Sequence, residues 1–440
     1  MMSAEVPEAP RQARRLGDDR RPRSRPCPLP VAVAFATALG LATAPATAQP
    51  PRDSLVISVL TMGPGAEMFE RFGHISIRVH DLRAGTDTAY NWGMFSFDQP
   101  RFFQRFLTGE TSYWMQGFPT AWLVGVYRHD HRWVLEQELA LLPAQKDSLA
   151  RFIRHNALEE NKWYRYDYYL DNCSTRVRDA IDMVLGGALR REVATREHGV
   201  TYRSETMRLA VAFPLINYGM DFALGARADA TISAWNEMFI PMRLMELIRQ
   251  VRVHRADGSL GRLVSREQML VADERYAEAL APPDQFWPAL GAGLGVTAVV
   301  LVLCLLPSSS LAARWGIVAV GAAWHLLLGV AGLLLLCAGL FTRHAYMAQN
   351  MNVLLATPAS LALAGLIPFM MARTSGERLS RAVRSLSVLA AACAVAAVAL
   401  RLVPTVAQEN RALLALAVPV QMALAFAFWR STGARDGGAA

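Results

Sequence analysis

The stretch "YLDNCSTRVRDA", residues 169–180, changes character in its middle. Its first half closes an aromatic, aperiodic run. From Val177 onward, Val177, Ala180, Ile181, Val184 and Leu185 fall at i, i+3, i+4, i+7 and i+8, the spacing of a helix with one buried face, and Gly186 and Gly187 supply a stop. Asn172 or Asp171 is a natural N-cap, which puts Cys173 in or beside the first turn. Unpaired N–H groups and the helix dipole there favour a thiolate over a thiol, so the position suits a nucleophile. A buried structural cysteine is the ordinary alternative. The polar neighbours Asp171, Asn172, Ser174, Thr175 and Arg176 argue against an apolar core site.

A thiol nucleophile needs a base, and the preceding sequence offers strands on which to mount one. "SLVISVLTM" (54–62) alternates, and "GHISIRVHD" (73–81) puts Ile75, Ile77 and Val79 on one face with His74, Ser76, Arg78 and His80 on the other. A turn at "RAGTD" and a strand from "TAYNWG" (88–93) complete a hairpin, with His74 at its entry directly after Gly73. "RWVLEQELALL" (132–142) reads as a further strand, "AQKDSLARFIRHNALEEN" (144–161) as an amphipathic helix, and "KWYRYDYYLDNC" (162–173) as an extended approach. Amphipathic helices are expected at "SETMRLAVAFPL" (204–215) and "WNEMFIPMRLMELIRQV" (235–251). Among the histidines of this region His74 is best placed to act as base; a satisfied sheet histidine is the alternative. In "RHDHRW" (128–133), His129 and His131 would share a face of a strand, but two histidines without a third ligand make a weak metal site, and none is expected.

The two ends of the 440-residue chain set the compartment. Hydrophobic residues make up 53% and mean hydropathy is +0.20, too apolar for an ordinary soluble protein. An Arg-rich leader precedes the apolar run at 28–48, which ends in an A-x-A pattern at Ala46 and Ala48: a signal peptide over 1–48. After residue 282 come five apolar stretches, 286–306, 316–340, 353–371, 386–402 and 413–429, each near the length that crosses a bilayer. Arg314, then Arg373, Arg378, Arg381 and Arg384, then Arg430 and Arg435 mark the cytoplasmic segments. An odd number of spans leaves 49–282 outside, in agreement with the signal, followed by a membrane domain over 283–430 and a cytoplasmic tail over 431–440. These arginines account for much of the pI of about 9.5, and no nucleic-acid partner is implied. Of five cysteines, Cys27 lies in the leader and Cys304, Cys337 and Cys393 lie in spans. Cys173 is left alone outside, where it cannot form an intradomain disulfide. His325, deep in the second span, is a functional candidate or a partner in a hydrogen bond to a neighbouring helix. "TRHAYMAQNMN" (342–352), between the second and third spans, faces outward.

"FGHISIRV", followed about a hundred residues later by "YDYYLDNCSTRVRD", resembles the permuted branch of the papain-like NlpC/P60 superfamily, with the "NC" signature of the lecithin:retinol acyltransferase group. With "YNWGMFSF", "WNEMFIPMRLME" and the multi-span C-terminal region, the chain is similar to Lnb-type bacterial lipoprotein N-acyltransferases. The resemblance implies an α+β periplasmic domain of permuted papain-like type over 49–282, with a helical extension, followed by an all-α membrane domain of about five helices. It implies Cys173 as nucleophile, His74 as base holding it as thiolate, and Asn91 as the orienting residue. A phospholipid acyl donor and a lipoprotein acceptor would meet at the bacterial inner membrane, with no cofactor. Arg176, with Arg178 as its alternative, Asn172, Tyr168, His344 and Asn350 are candidate substrate contacts. A membrane-tethered cysteine hydrolase of cell-wall peptides and a non-catalytic envelope binding module are the alternative readings.

Overall fold

The computed structural model describes residues 54–307, 309–371 and 376–436, with side chains as far as Arg430. The signal peptide expected over 1–48, Cys27 and Arg373 lie outside the described residues. Strands form where alternation led them to be expected, at β1 (Leu55–Met62), β2 (His74–Asp81), β3 (Thr86–Met94) and β5 (Val134–Leu139), and are joined by β4 (Ser112–Pro119), which was not expected, and by β6 (Trp163–Arg165) within the extended approach. With the Val264–Val271 strand they make one seven-stranded antiparallel sheet, ordered Val264–Val271, β5, β1, β2, β3, β4, β6. On one face Ile57, Val59, Ile75, Ile77 and Val79 are buried against helices Pro143–Asn156, Cys173–Val184 and Pro241–Ile248. Burial of each such aliphatic side chain contributes about 1.5–3 kcal/mol. On the other face Leu60, Met62 and Ala89 pack against Leu123 and Tyr127 of helix Thr120–His129.

Two local expectations are corrected. "RHDHRW" is no strand: His129 ends a helix, His131 is left-handed at φ 56°, and extended chain begins at Val134. The helix there buries Leu123 and Tyr127 four residues apart on one face, beside Thr120. The segment 235–251 is two helices, Ala234–Glu237 and Pro241–Ile248, because a proline is tolerated only in the first turn of a helix.

Five helical stretches are long and apolar enough to cross a membrane: Phe286–Leu305, Leu311–Phe341, Met351–Met371, Glu377–Leu400 and Arg411–Arg430. The second and third approach closely because Gly332 has no side chain; a Cβ there would collide with the Ala356 carbonyl oxygen. His325 is buried between them, with Nδ1 3.4 Å from Ser360 Oγ.

The outward loops of this bundle are bonded to the sheet domain. Helix Pro214–Ala223 ends with carbonyls that need donors. Asn350 Nδ2 donates to the Phe222 and Ala223 oxygens, Asn352 Nδ2 to Phe222 and Gln408 Nε2 to Leu224, at 2.9–3.0 Å. The Gly225 N–H donates to the Tyr346 oxygen at 2.7 Å, and the Tyr346 ring packs on Tyr169 and Tyr202. Loops 342–350 and 401–410 therefore lie at the domain end of the bundle, with Arg314, Arg378 and Arg381 at the other.

Arg78 on β2 binds Asp87 of β3 through two bonds of 2.7 and 2.6 Å and reaches over β1 to Glu136 of β5 at 2.7 Å. Removing the cation would strand the buried Glu136 carboxylate and take two donors from the half-buried Asp87. Arg78→Met is expected to cost roughly 3 kcal/mol, read as a lowered thermal midpoint of the full-length protein in detergent. An unchanged midpoint would show the cross-sheet cluster to be inert.

Candidate active site

Helix Cys173–Val184 begins where it does because Asn172 closes it. Asn172 is extended (φ −116°, ψ −173°), and its Oδ1 accepts the Ser174 and Thr175 N–H groups at 2.8 and 2.9 Å. Thr175 Oγ1 accepts the Asn172 N–H in return, at 2.8 Å, completing a capping box. Asn172 Nδ2 donates to the Tyr168 and Phe239 carbonyls, and Ser174 Oγ to that of Met238 at 2.6 Å. The first turn is thus fastened to the segment before Pro241, and Cys173 is its first residue.

β2 enters at the same place. Gly73 adopts φ 72°, and a Cβ on it would meet the Met62 carbonyl at 2.9 Å and Met242 Sδ at 2.5 Å, so only glycine turns the chain here. His74 follows, 4% exposed, with Nε2 3.2 Å from Oδ1 of the buried Asn91 on β3. Asn91 Nδ2 donates to the Ala89 carbonyl, which fixes the amide orientation. An oxygen facing Nε2 makes that nitrogen the proton carrier and leaves Nδ1 with a free lone pair. The Cys173 thiol lies against the start of β2, where the N–H of Ile75, next to His74, favours a charge on the sulfur; the Ser174 N–H is held by the Asn172 cap. The structure therefore brings His74 to Asn91 by a hydrogen bond and Cys173 to the strand end that carries His74. Among the described residues no hydrogen bond joins thiol and imidazole.

Burial works against the expected resting thiolate. Cys173 is 7% exposed, and burial pushes its thiol up to about 11 against the N–H groups that favour the anion. Burial, with the Arg132 charge nearby, pulls the His74 imidazole down to about 3. Both groups are neutral at pH 7. The thiol's contribution to stability is held below its ordinary value of 9 and lost as pH rises toward 11; the imidazole's is held above 6.5 and lost as pH falls toward 3.

Several other candidates are occupied by structure. Asn172 spends its amide on the cap. Arg176 pairs with Asp171 through two bonds and lies over the Tyr164 ring; Arg178 pairs with Asp179 and stacks on Trp235. Asn350 holds the domain junction and also accepts from Asn352 and Gln408. His344 Nε2 donates to the Phe106 carbonyl at 3.0 Å, and its ring lies 6.0 Å from that of Tyr168. The Tyr168 hydroxyl is buried with no hydrogen-bond partner among the described residues. His131 pairs with Asp273, and among the described residues no three His, Cys, Asp or Glu side chains gather as a metal site would require.

Sequence reasoning passed over Arg132. It is 1% exposed, donates to the Gly63 carbonyl and to Glu70, and leaves Nη2 without a partner among the described residues. Its signal was the helix end at His129, hidden by the strand reading. Tyr164 and Tyr166 are also near Cys173, whose thiolate would oppose theirs, and burial first of all holds both phenols well above their ordinary value. A cavity of about 810 Å³, lined by Arg203, Asp221, Arg227, Gln349, Arg401 and Glu409, lies at the domain junction and does not include Cys173.

Residues 42–212 match the family described as the Lnb N-terminal periplasmic domain, a span that contains His74, Asn91 and Cys173. Comparison with curated proteins and with solved structures gives no match.

A neutral thiol with its value near 11 gains thiolate about tenfold per pH unit. Iodoacetamide alkylation of Cys173, followed by peptide mass in the full-length protein, is expected to climb from pH 7 to 10 without a plateau. A level rate from pH 5 to 8 would reveal a preformed thiolate–imidazolium pair.

Proposed function

Taking residues 42–212 as an Lnb N-terminal periplasmic domain, whose family serves lipoprotein maturation, we propose that the protein is a phospholipid-to-lipoprotein N-acyltransferase of the bacterial inner membrane. The observation that carries the reading is the Cys173 thiol at a helix start against the strand end of His74, itself bonded to Asn91, in a domain fastened to five membrane-length helices.

The acyl donor is a phospholipid of the outer leaflet. As Cys173 Sγ attacks an ester carbonyl, His74 Nδ1 takes the thiol proton, so no free thiolate has to persist in a buried site. The Ser174 and Thr175 N–H groups serve the Asn172 cap; the Cys173 N–H, which the cap does not use, is the helix donor for the oxyanion. The ester C–O bond breaks, the leaving oxygen takes the proton from His74, and a lysophospholipid departs from a Cys173 thioester. The N-terminal amine of a diacylglyceryl-cysteine on a lipoprotein then attacks. The amide C–N bond forms, the C–S bond breaks, and the amine's proton returns through His74 to the thiol. Asn91 acts through His74, holding the tautomer whose Nδ1 is free. The rings of Tyr164, Tyr166 and Tyr169 exclude water from the thioester. No cofactor enters this sequence.

The test is the intact mass of a reporter lipoprotein made in cells lacking their own N-acyltransferase. The wild-type chain is expected to add one acyl chain, and Cys173→Ala and His74→Ala none. Asn91→Ala should slow the transfer by about tenfold or more, with the general acid–base contribution as its ceiling. An unmodified reporter, with the protein folded in the membrane, would sink the acyl transfer and leave amide hydrolysis of cell-wall peptides as the reading to pursue.

A further inference from the structure

A donor chain held in a bilayer has to reach a buried thiol. Helix Phe102–Thr108 carries an apolar surface that the reaction has not used: Phe103, Phe106 and Leu107 are 70%, 53% and 68% exposed, and Phe97 beside them is 51% exposed. Soluble surfaces seldom gather such rings without a partner.

The partner follows from where the helix is held. The Arg343 N–H donates to the Thr108 carbonyl at 2.9 Å, His344 Nε2 to that of Phe106 at 3.0 Å, and the Arg343 side chain pairs with Glu110 at 3.0 Å. Arg343 and His344 come directly after the second membrane helix, whose last residues Leu340 and Phe341 are 65% and 77% exposed. The patch is therefore fixed at the level where that helix leaves the bilayer and continues its lipid-facing surface. Arg101 and Arg105 stand on the same short segment, where phosphate headgroups would lie.

Inward from the patch the rings form a row. Phe102 and Phe106 stack at 6.3 Å, Phe102 and Phe95 at 5.9 Å, Phe95 lies 5.2 Å from Tyr113, and Tyr113 stacks on Tyr166 at 4.1 Å. Tyr166 is among the phenols that the Cys173 charge would oppose.

We propose that Phe97, Phe103, Phe106 and Leu107 seat in the outer leaflet, and that the row Phe102, Phe95, Tyr113, Tyr166 conducts one acyl chain of the donor phospholipid to Cys173. The second half rests on the acyl-transfer reading above. Aromatic faces suit such a path, because they shield an alkyl chain from water and because they belong at the membrane interface.

The test places the photo-crosslinker 4-benzoylphenylalanine at Phe103 in the full-length protein, in nanodiscs of phosphatidylethanolamine and phosphatidylglycerol. Irradiation is expected to add the mass of one phospholipid. The same group at Leu82, 58% exposed beyond the far end of β2 and about 25 Å from His74, should add none. No adduct at Phe103, or equal adducts at both, overturns the leaflet seat whether or not the protein transfers acyl chains. Phe103→Ser with Phe106→Ser, both exposed, should leave the melting temperature unchanged and slow phospholipid-dependent acylation of Cys173 at least tenfold. An unchanged rate overturns the path. An adduct from the crosslinker at position 103, together with no Cys173 acylation in the wild-type protein, would retain the seat and sink the path together with the acyl-transfer reading.

Discussion

One amide sets the geometry of the site. Asn172 makes four hydrogen bonds through its side chain, two to the start of the Cys173 helix and two to carbonyls of the chain before and beside it. Its own N–H adds a fifth through Thr175. A cap of this kind contributes about 1–2 kcal/mol, and the two further bonds to Tyr168 and Phe239 tie the helix start to what surrounds it. The cap decides which N–H groups remain for chemistry, because it uses those of Ser174 and Thr175. It also decides where the sulfur stands, since the first helical residue follows the cap directly. The sheet then needs only to deliver His74 to the same place, which the turn at Gly73 does.

Burial and charge compete at this place, and burial wins in the resting protein. Oriented N–H groups lower the cost of a thiolate, and exposed cysteines at helix starts are often acidic for that reason. Cys173 has those groups but almost no solvent. A neutral thiol beside a neutral imidazole avoids holding two opposite charges out of water. Neutrality also lowers the reactivity of the thiol, because the thiolate is the form that oxidants attack.

The sheet and the Cys173 helix were legible because their periodicities are strong and their punctuation is local: Ile75, Ile77 and Val79 alternate, Val177 to Leu185 repeat at helical spacing, and Asn172 and Gly186 bracket the helix. The five apolar stretches were legible from length and composition alone, although several of the observed helices run on past the apolar residues into polar ends. The Val264–Val271 strand was not, because as an edge strand it exposes Ser265, Arg266, Glu267, Gln268 and Met269 and buries little. The helix Thr120–His129 was missed because its buried side is only Thr120, Leu123 and Tyr127. Arg176, Asn172 and Asn350 were polar residues near a site or in an outward loop. Sequence supplies no means of telling a free polar side chain from one already bonded, and in the fold all three are bonded. The neutrality of the thiol escaped for a similar reason: its polar neighbours Asn172, Ser174 and Thr175 are themselves buried, so they mark a hydrogen-bonded interior and not a solvated surface.

The junction has a consequence in time. The carbonyls of Phe222, Ala223 and Leu224 are satisfied by Asn350, Asn352 and Gln408, and Tyr169, three residues before Asn172, packs on Tyr346. The sheet domain is synthesised and exported long before residues 346–408 exist. Its last contacts therefore wait for the second through fourth apolar helices to be inserted and their loops presented outside. The surroundings of Cys173 are complete only after the chain has been threaded correctly, so assembly in the membrane itself withholds a finished Cys173 site from any molecule that stalls on the way.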